Sequence, residues 1–514
     1  MIIPTIENAP PMNIPTMVML AAFVFLLGSC IGSFLNVVIW RLPHRGTPHT
    51  FRGRTAPLSL AWPPSHCPHC LHAIPFYFNI PVLAWLLLRG RCAKCHAPIA
   101  VRYPLVELGT GIIFAALFLA YAQLSPDPCW WGQRFAMGLD WPPALKPGPA
   151  HIGWLVLLLH LFLVGCLLAA AAIDADWFII PLEIPHLLAV IGILAVTLIP
   201  NPAPNSIQGA ILVPPPNYIV TFLDPSGPWA WPTLGAAAGL IIALLLLWRG
   251  LIPQSFPDNP ATHEHPAAPV SAKAQGNNDK HSTSPSESAP KQAESLPPPP
   301  GLLHTWPSLA VTILLLTGVA AGWWFLIPKF AALATLIAGL LIFLLGVLRR
   351  DAGAPDATAE VMEEISTPHV RREVLKELLF LAFPIFGAIL ASFLPPNLPQ
   401  YPWLGRLLGS LLGFLAGGGI VWLTRIFGTL GFGREAMGLG DVHLMYAVGA
   451  IIGAPMAILV FLVFAPVLGL LWAAVLLAFR KPNILPYGPW LAVGTILALL
   501  LGHPLLDYYL AMFQ

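Results

Sequence analysis

The sequence is poor in charged residues. Of its 514 residues, only 9% are Asp, Glu, Lys or Arg, whereas 57% are hydrophobic. A soluble globular protein carries about a quarter charged residues, so this composition excludes a soluble protein and indicates an integral membrane protein. The net charge of only +2 gives no reason to expect nucleic acid as a partner. The partner that the composition does imply is the lipid bilayer.

Cysteine is scarce too: the chain has seven, and four of them form two Cys-x-x-Cys pairs separated by 21 residues. Two such pairs can present four thiolates to one Zn²⁺ ion, which readily accepts a tetrahedral sulfur site. The alternative interpretation is a pair of redox-active dithiols. A closed four-thiolate site leaves no position for a substrate, so zinc bound there would be structural. The predicted metal ligands are Cys67, Cys70, Cys92 and Cys95.

Apolar runs long enough to cross a bilayer, about 20 residues each, recur along the chain. A Pro- and Ser-rich linker at 252–300 interrupts them and is predicted to be disordered. A break at Gly453, Ala454 and Pro455 is predicted to divide the run 442–478 in two. We therefore predict an all-α polytopic membrane protein of about twelve transmembrane helices, with a small zinc-binding cytoplasmic loop domain. The predicted spans lie near 17–40, 104–124, 151–174, 183–200, 233–250, 307–327, 330–348, 375–395, 404–427, the two halves of 442–478, and 486–503.

Basic residues predict the orientation of these spans. The loop after the first run, 41–103, contains eight Lys and Arg residues, whereas loops such as 201–232 contain almost none. Because basic loops stay in the cytoplasm, we expect this loop inside and the N-terminus outside. Disulfides would not persist there. The first run lacks a short apolar core with a small-residue cleavage site, so we expect a retained helix rather than a removed signal peptide.

Two acidic residues at the ends of apolar runs are predicted to lie on the same face of the membrane. Asp174 ends the third run, and Asp441 begins the tenth. A single acid at a helix end is usually just solvated, but two at one depth can meet across a bundle. Two aspartates that share a proton form the acid–base pair of an aspartyl peptidase. Asp176 lies roughly 200° around the helix from Asp174, so it is not expected to reach the same partner.

Two glycines precede the second of these aspartates. Gly438 and Gly440 lack a Cβ atom and would allow a backbone to approach closely. We therefore predict that an extended substrate peptide lies against Asp441 at these two positions.

Four stretches of the sequence resemble the type IV prepilin peptidase family, membrane aspartyl proteases with a GxGD element. The resemblance covers roughly residues 1–200 and 404–503. The stretches are GSFLNVVIWRLP at 32–43, the cysteine segment with NIPVLAWLLLRGRCAKC at 79–95 and RYPLVE at 102–107, IDADWFIIP at 173–181, and EAMGLGDVHL at 435–444.

The resemblance implies an enzyme of the bacterial inner membrane. It would cleave the leader peptides of prepilins or pseudopilins on the cytoplasmic face, with Asp174 and Asp441 as the catalytic pair and the four cysteines as zinc ligands. Many members of the family also methylate the new N-terminus with S-adenosylmethionine, a task assigned to the cytoplasmic loop. This second cofactor rests on the resemblance alone.

The chain departs from the family pattern at three places. Leu182 follows Pro181 where an acid or amide is usual, and His443 replaces a lysine. The two aspartates are also 267 residues apart, which indicates an insertion. We predict five regions: a first transmembrane helix at 1–40, the zinc-binding domain at 41–103, a membrane core at 104–204, an atypical insertion with extra helices and the linker at 205–403, and a second membrane core at 404–514.

Two other classes of protein remain open at this point. One is a transporter or channel with a zinc-stabilised cytoplasmic domain, in which the acids relay protons. The absence of a motif repeated in two halves argues against it, as does the placement of both acids at the inner interface. The other is a non-catalytic assembly protein of a pilus or secretion machine that keeps only the fold.

Overall fold

The described residues are mostly helical. The computed structural model describes residues 14–75, 79–122, 149–199, 223–255, 335–343, 370–395, 397–433, 435–478 and 486–511. The helices are α1 (Ile14–Arg41), α2 (Leu83–Leu87), α3 (Arg102–Ala122), α4 (Pro149–Trp177), α5 (Glu183–Leu198), α6 (Ala230–Trp248), α7 (Val370–Ser392), α8 (Pro402–Phe432), α9 (Leu439–Ile452), α10 (Ala454–Leu459), α11 (Ala465–Ala478) and α12 (Gly488–Ala511).

Seven helical segments within these ranges are long and apolar enough to cross a membrane. Three further apolar helices are shorter: Glu183–Leu198, Leu439–Ile452 and Gly488–Leu500. The prediction of a polytopic helical membrane protein is thereby confirmed, whereas the count of about twelve is not. The predicted run 307–327 lies outside the described residues, as do linker residues 256–300. The boundaries of the five regions also stay a prediction.

The predicted break in the run 442–478 is confirmed. Helix α9 ends at Ile452, and Gly453 has a φ of 85°, a value that a residue with a side chain rarely adopts. Helix α10 then begins at Ala454 with a proline in its first turn. A π-helical turn at Val460–Phe464 joins α10 to α11.

The prediction of an all-α protein is wrong in one place, because the loop domain contains a β-hairpin. Strand β1 (Pro48–Phe51) pairs with the antiparallel strand β2 (Arg54–Pro57). Arg52 and Gly53 both have positive φ, at 49° and 81°, as a tight two-residue hairpin turn requires. Strands of four residues are too short for an alternating pattern to be distinguished in the sequence.

Close approach between helices holds the bundle together. Helix α4 lies at the centre, and Leu163, Leu167 and Ile173 along it are fully buried or nearly so. Small residues allow the backbones to touch, which is how helices pack in a membrane. At the crossing of α8 and α9, a Cβ on Gly413 would lie 2.1 Å from the carbonyl oxygen of Gly449.

We predict that Gly413→Ala destabilises the protein by about 1–3 kcal/mol, because α8 and α9 would have to separate. The matched control is Gly419→Ala in the same helix, where a Cβ would meet nothing within 4 Å. Thermal unfolding of the two variants in detergent measures the difference. Equal midpoints would contradict the tight crossing.

Candidate active site and metal centre

Asp174 lies in the last turn of α4 and is buried, with 7% of its surface exposed. Its Oδ2 accepts a hydrogen bond of 2.8 Å from the backbone N–H of Gly488. Gly488 is the first residue of α12, so its amide has no hydrogen-bond acceptor within the helix. The carboxylate of Asp174 accepts this hydrogen bond instead. A Cβ at this position would lie 2.8 Å from Oδ2, and the contact therefore requires glycine.

Asp441 lies in the first turn of α9 and is also buried, with 8% exposed. It interacts electrostatically with Asp174 and with Arg425. Among the described residues, none forms a hydrogen bond with its Oδ1. The structure thus brings together the two aspartates that were singled out in the sequence, although 267 residues separate them.

The two glycines before Asp441 have different surroundings. A Cβ on Gly440 would lie 2.9 Å from the Cβ of Ile180, so this glycine lets α9 pack against the segment that follows α4. At Gly438 the nearest atoms are 3.8 Å away or more, and the first of them is Oδ2 of Asp441. Gly438 therefore lies beside the carboxylate, and no neighbouring side chain occupies the space where its Cβ would be. Their use by a substrate stays a prediction.

The segment after Asp174 turns sharply and contacts the loop domain. Phe178 has a φ of 55° and ends α4 in a left-handed conformation. Asp176 forms a bidentate ion pair with Arg102 at the start of α3, with N–O distances of 3.0 and 2.5 Å. The ring of Trp177 lies edge-on to His44, with 4.8 Å between centroids. Asp176 thus has a partner of its own, away from Asp441.

A buried ion-pair network holds the loop that leads to Asp441. The guanidinium of Arg425 in α8 is fully buried and lies 2.9 Å from Glu377 of α7 and 2.5 Å from Glu435. It also donates to the carbonyl oxygen of Met437. The indole N–H of Trp422 donates to the second oxygen of Glu377, at 2.9 Å. Two helices therefore position the backbone just before the GxGD element.

Tyr487 lies next to the pair of aspartates, immediately before α12. Its phenol interacts electrostatically with Asp441. An ordinary phenol is neutral across the physiological pH range, so it can donate a hydrogen bond there.

His443 in the second turn of α9 donates from Nδ1 to the carbonyl oxygen of Leu439 at 2.7 Å. Its ring lies edge-on to His186 of α5, with 5.8 Å between centroids.

The four cysteines converge as predicted. Their sulfur atoms all lie within 4.8 Å of one another, with Cys67 and Cys95 at 3.7 Å and Cys70 and Cys92 at 4.0 Å. A metal bound tetrahedrally at about 2.3 Å would place the sulfurs about 3.8 Å apart, whereas a disulfide would require about 2 Å. The arrangement therefore fits a single metal ion and excludes two dithiol bridges in this conformation.

The backbone forms a similar turn after each Cys-x-x-Cys pair. Each Cys-x-x-Cys is followed by a residue with positive φ, Leu71 at 52° and His96 at 57°. These turns direct backbone amides toward sulfur. Hydrogen bonds from the amides of Cys95 and then Lys94 lower the pKa of Cys92 to about 6, which favours the thiolate form that binds a metal.

Sequence reasoning missed Gly488, Tyr487, Glu377 and the role of Arg425. The stretch YGP at 487–489 carries a signal, because Gly-Pro after a loop is typical of a helix start. Glu377 gives no comparable signal, since an acid in KEL at 376–378 looks like part of a solvated helix face. Only its contact with Arg425 distinguishes it.

Comparison with known proteins matches two parts of the chain. Residues 26–121 match the bacterial peptidase A24 N-terminal domain, and residues 370–474 match the type IV leader peptidase family. The second range contains Asp441, and Asp174 lies between the two. No solved structure matches the chain.

Three relatives of the chain are all named as enzymes that process leader peptides. A prepilin leader peptidase/N-methyltransferase from Myxococcus xanthus (strain DK1622) is 39% identical over 175 residues, covering 34% of this chain and 40% of the relative. A type 4 prepilin-like proteins leader peptide-processing enzyme from Escherichia coli O78:H11 (strain H10407 / ETEC) is 49% identical over 102 residues, covering 19% and 38%. A prepilin leader peptidase/N-methyltransferase from Aeromonas hydrophila is 44% identical over 132 residues, covering 23% and 43%.

Fold and site define a polytopic helical membrane protein with a buried pair of aspartates and a four-cysteine loop domain. Within that class, the two matched domains and the named relatives confirm the predicted resemblance to the type IV prepilin peptidase family. The chain spans less than half the length of each of these three relatives.

We predict that Arg425→Met destabilises the protein by about 3–5 kcal/mol, because Glu377 would be left buried without its charged partner. The control is Arg45→Met, since Arg45 pairs with Glu183 at 3.6 Å with both side chains more than half exposed. That pair is expected to contribute about 0–1 kcal/mol. Thermal unfolding in detergent compares the two variants, and an equal loss would contradict the stabilising role of the network. Adding Glu377→Gln to Arg425→Met should restore part of the loss.

Proposed function

We propose that this chain is a membrane aspartyl endopeptidase that removes the leader of type IV prepilins or type II secretion pseudopilins. Asp174 and Asp441 are its catalytic pair. The observation that carries the proposal is that these two buried carboxyl groups, which are 267 positions apart in the sequence, lie close together at helix ends. The names of the relatives supply the class of substrate.

Two buried carboxyl groups that lie close together do not both ionise, because a negative charge on one makes ionisation of the other less favourable. Asp174 is the better candidate for the ionised partner, since the amide of Gly488 donates to its Oδ2. Asp441 is the better candidate for the protonated partner, because its Oδ1 has no hydrogen-bond partner among the described residues. The positive charge of Arg425 is already shared between Glu377 and Glu435.

These assignments define the chemistry. Asp174 accepts a proton from a water molecule as the water oxygen attacks the peptide carbonyl carbon. Asp441 donates a hydrogen bond, and then its proton, to the carbonyl oxygen. When the C–N bond breaks, the departing amine takes up the proton that Asp174 holds. The pair then again carries a single proton once Asp441 has recovered its own from the collapsing intermediate.

The site is proposed to face the cytoplasm. Arg102 joins the end of α4 to the start of α3, so the aspartates and the loop domain lie on one side of the bundle. That domain contains most of the basic residues of the first hundred positions. Positively charged loops remain in the cytoplasm, and the N-terminus would then lie outside.

Zinc is the proposed metal for the four cysteines, because all-thiolate tetrahedral sites are typical of structural zinc. The ion would hold the two knuckles, and with them the loop domain, together. The sulfur distances of 3.7 and 4.0 Å support this proposal.

Methylation of the new N-terminus is a second proposed activity, since two of the relatives are named as N-methyltransferases. S-adenosylmethionine would supply the methyl group. This activity is proposed from the names alone, and no residue is assigned to it.

We expect Asp174→Asn and Asp441→Asn each to reduce leader cleavage by a factor of about 100 or more, because neither variant can share the proton. The full chain is co-expressed with a candidate prepilin, and the intact mass and N-terminus of the pilin are measured. The same spectrum reports methylation.

The matched control is Asp176→Asn, which removes an acid from the same helix end but leaves the pair intact. It should keep most of the cleavage. Full processing by Asp441→Asn in an inserted protein would refute the proposed peptidase, whereas no processing by the unchanged chain would favour an assembly protein. Loss in Asp176→Asn with activity in Asp174→Asn would reverse the assignment.

For the metal, we expect purified protein to contain about one zinc per chain and Cys92→Ser to lose it. Elemental analysis measures the metal, and limited proteolysis should show faster cutting within 42–101. Cys166→Ser is the control, since Cys166 lies in α4 apart from the sulfur cluster. Equal zinc in both variants would disprove the site.

A further inference from the structure

The loop domain has an exposed apolar surface between its two cysteine knuckles. Ile80, Leu83, Leu86 and Leu87 are exposed by 47%, 54%, 48% and 75%, respectively. We call these four residues the leucine face. Leu83, Leu86 and Leu87 follow a spacing of three and four residues, so they share one side of α2.

The opposite side of α2 is firmly packed, so the exposure is not the result of a loosely held segment. Ala84 is buried, and the indole N–H of Trp85 donates to the carbonyl oxygen of Ile99 at 3.1 Å. A Cβ on Gly90 would lie 2.9 Å from the ring of Trp85. The helix is therefore held in one orientation, with its leucines directed outward.

A hydrogen bond attaches the start of α2 to the first turns of a candidate membrane span. The backbone N–H of Val82 donates to Oε2 of Glu107 at 2.7 Å. Glu107 lies five residues inside the apolar span Arg102–Ala120, about 7–8 Å along the helix axis from its start. Gly32 of α1 packs against the same residue. Headgroup layers are about 5–8 Å thick, so α2 would lie at their depth if the span Arg102–Ala120 begins at the membrane surface.

Basic residues follow the leucine face directly in the sequence. Arg89, Arg91 and Lys94 are all exposed. Long basic side chains can keep their apolar stems near the acyl chains and extend their charges to the phosphates. A row of leucines next to a cluster of basic residues is the pattern of a helix that lies in the interface of an anionic bilayer.

We propose that the leucine face inserts into the lipid interface and that Arg89, Arg91 and Lys94 bind anionic headgroups. The partner is the bilayer itself. The contact holds the four-cysteine domain against the membrane beside the start of α3. The lipid contact would form whether or not the aspartate pair cuts peptides.

Photocrosslinking of the full chain tests the contact. Leu87→benzoylphenylalanine is reconstituted in vesicles of phosphatidylethanolamine and phosphatidylglycerol, irradiated, and analysed by mass spectrometry for lipid adducts. The matched control is Thr55→benzoylphenylalanine, at an exposed polar position of β2 in the same domain. We expect several-fold more lipid adduct at position 87 than at position 55.

The outcomes separate the alternatives. Equal yields at the two positions, or no lipid adduct at position 87, would overturn the proposal, and so would crosslinks mainly to another polypeptide. Replacing phosphatidylglycerol by phosphatidylcholine should lower the yield at position 87, and an unchanged yield would refute the contribution of the basic residues. Independently, Leu86→Gln/Leu87→Gln should accelerate amide exchange of residues 80–91 in the bilayer, whereas Thr55→Ala should not. No acceleration would count against the insertion.

Discussion

Charge buried in an apolar bundle requires compensation, and this constraint explains how the centre of the molecule is built. Arg425 is fully buried and meets two carboxylates and a carbonyl oxygen. Arg102 and Asp176 neutralise each other at the next helix end. Asp174 and Asp441 differ from these pairs, since each is a carboxyl group that interacts with the other, and Asp174 has the backbone amide of Gly488 as its donor. Two close carboxyl groups that disfavour each other's charge are typical of a functional site, and the proposed chemistry is assigned to them for this reason.

The same constraint explains which residues surround the two aspartates. Within a helix, only the amides of the first turn lack a partner in the helix itself, so a helix start can supply a backbone donor to a carboxylate inside the bundle. The start of α12 provides it, and Gly488 and Gly440 remove the Cβ atoms that would keep the segments apart. Glu435 and Met437 are held by Arg425, so the last residues before α9 are positioned from α8 rather than by their own segment.

Much of this arrangement could be predicted from the sequence, and the rest could not, for physical reasons. The apolar runs and the break at Gly453 depend on local composition, and the cysteine centre depends on a short spacing. The aspartates could be matched because positive charge in loops gives each helix a direction. Glu377 and Gly488 have no such local mark, because their importance lies in contacts with residues far along the chain. The hairpin at 48–57 was missed because four-residue strands leave too few alternations to distinguish from loop.

The hydrogen bond from Gly488 to Asp174 joins residues 314 positions apart, and it has a consequence for biosynthesis. A ribosome adds about 5–20 residues per second, so roughly 15–60 s pass between the synthesis of the two. During that interval the growing chain has a membrane-inserted Asp174 without its amide donor. The carboxylate pair reaches its final surroundings only when one of the last helices enters the bundle. An incomplete chain, released early or cut before α12, would therefore lack a finished site even though both aspartates were present.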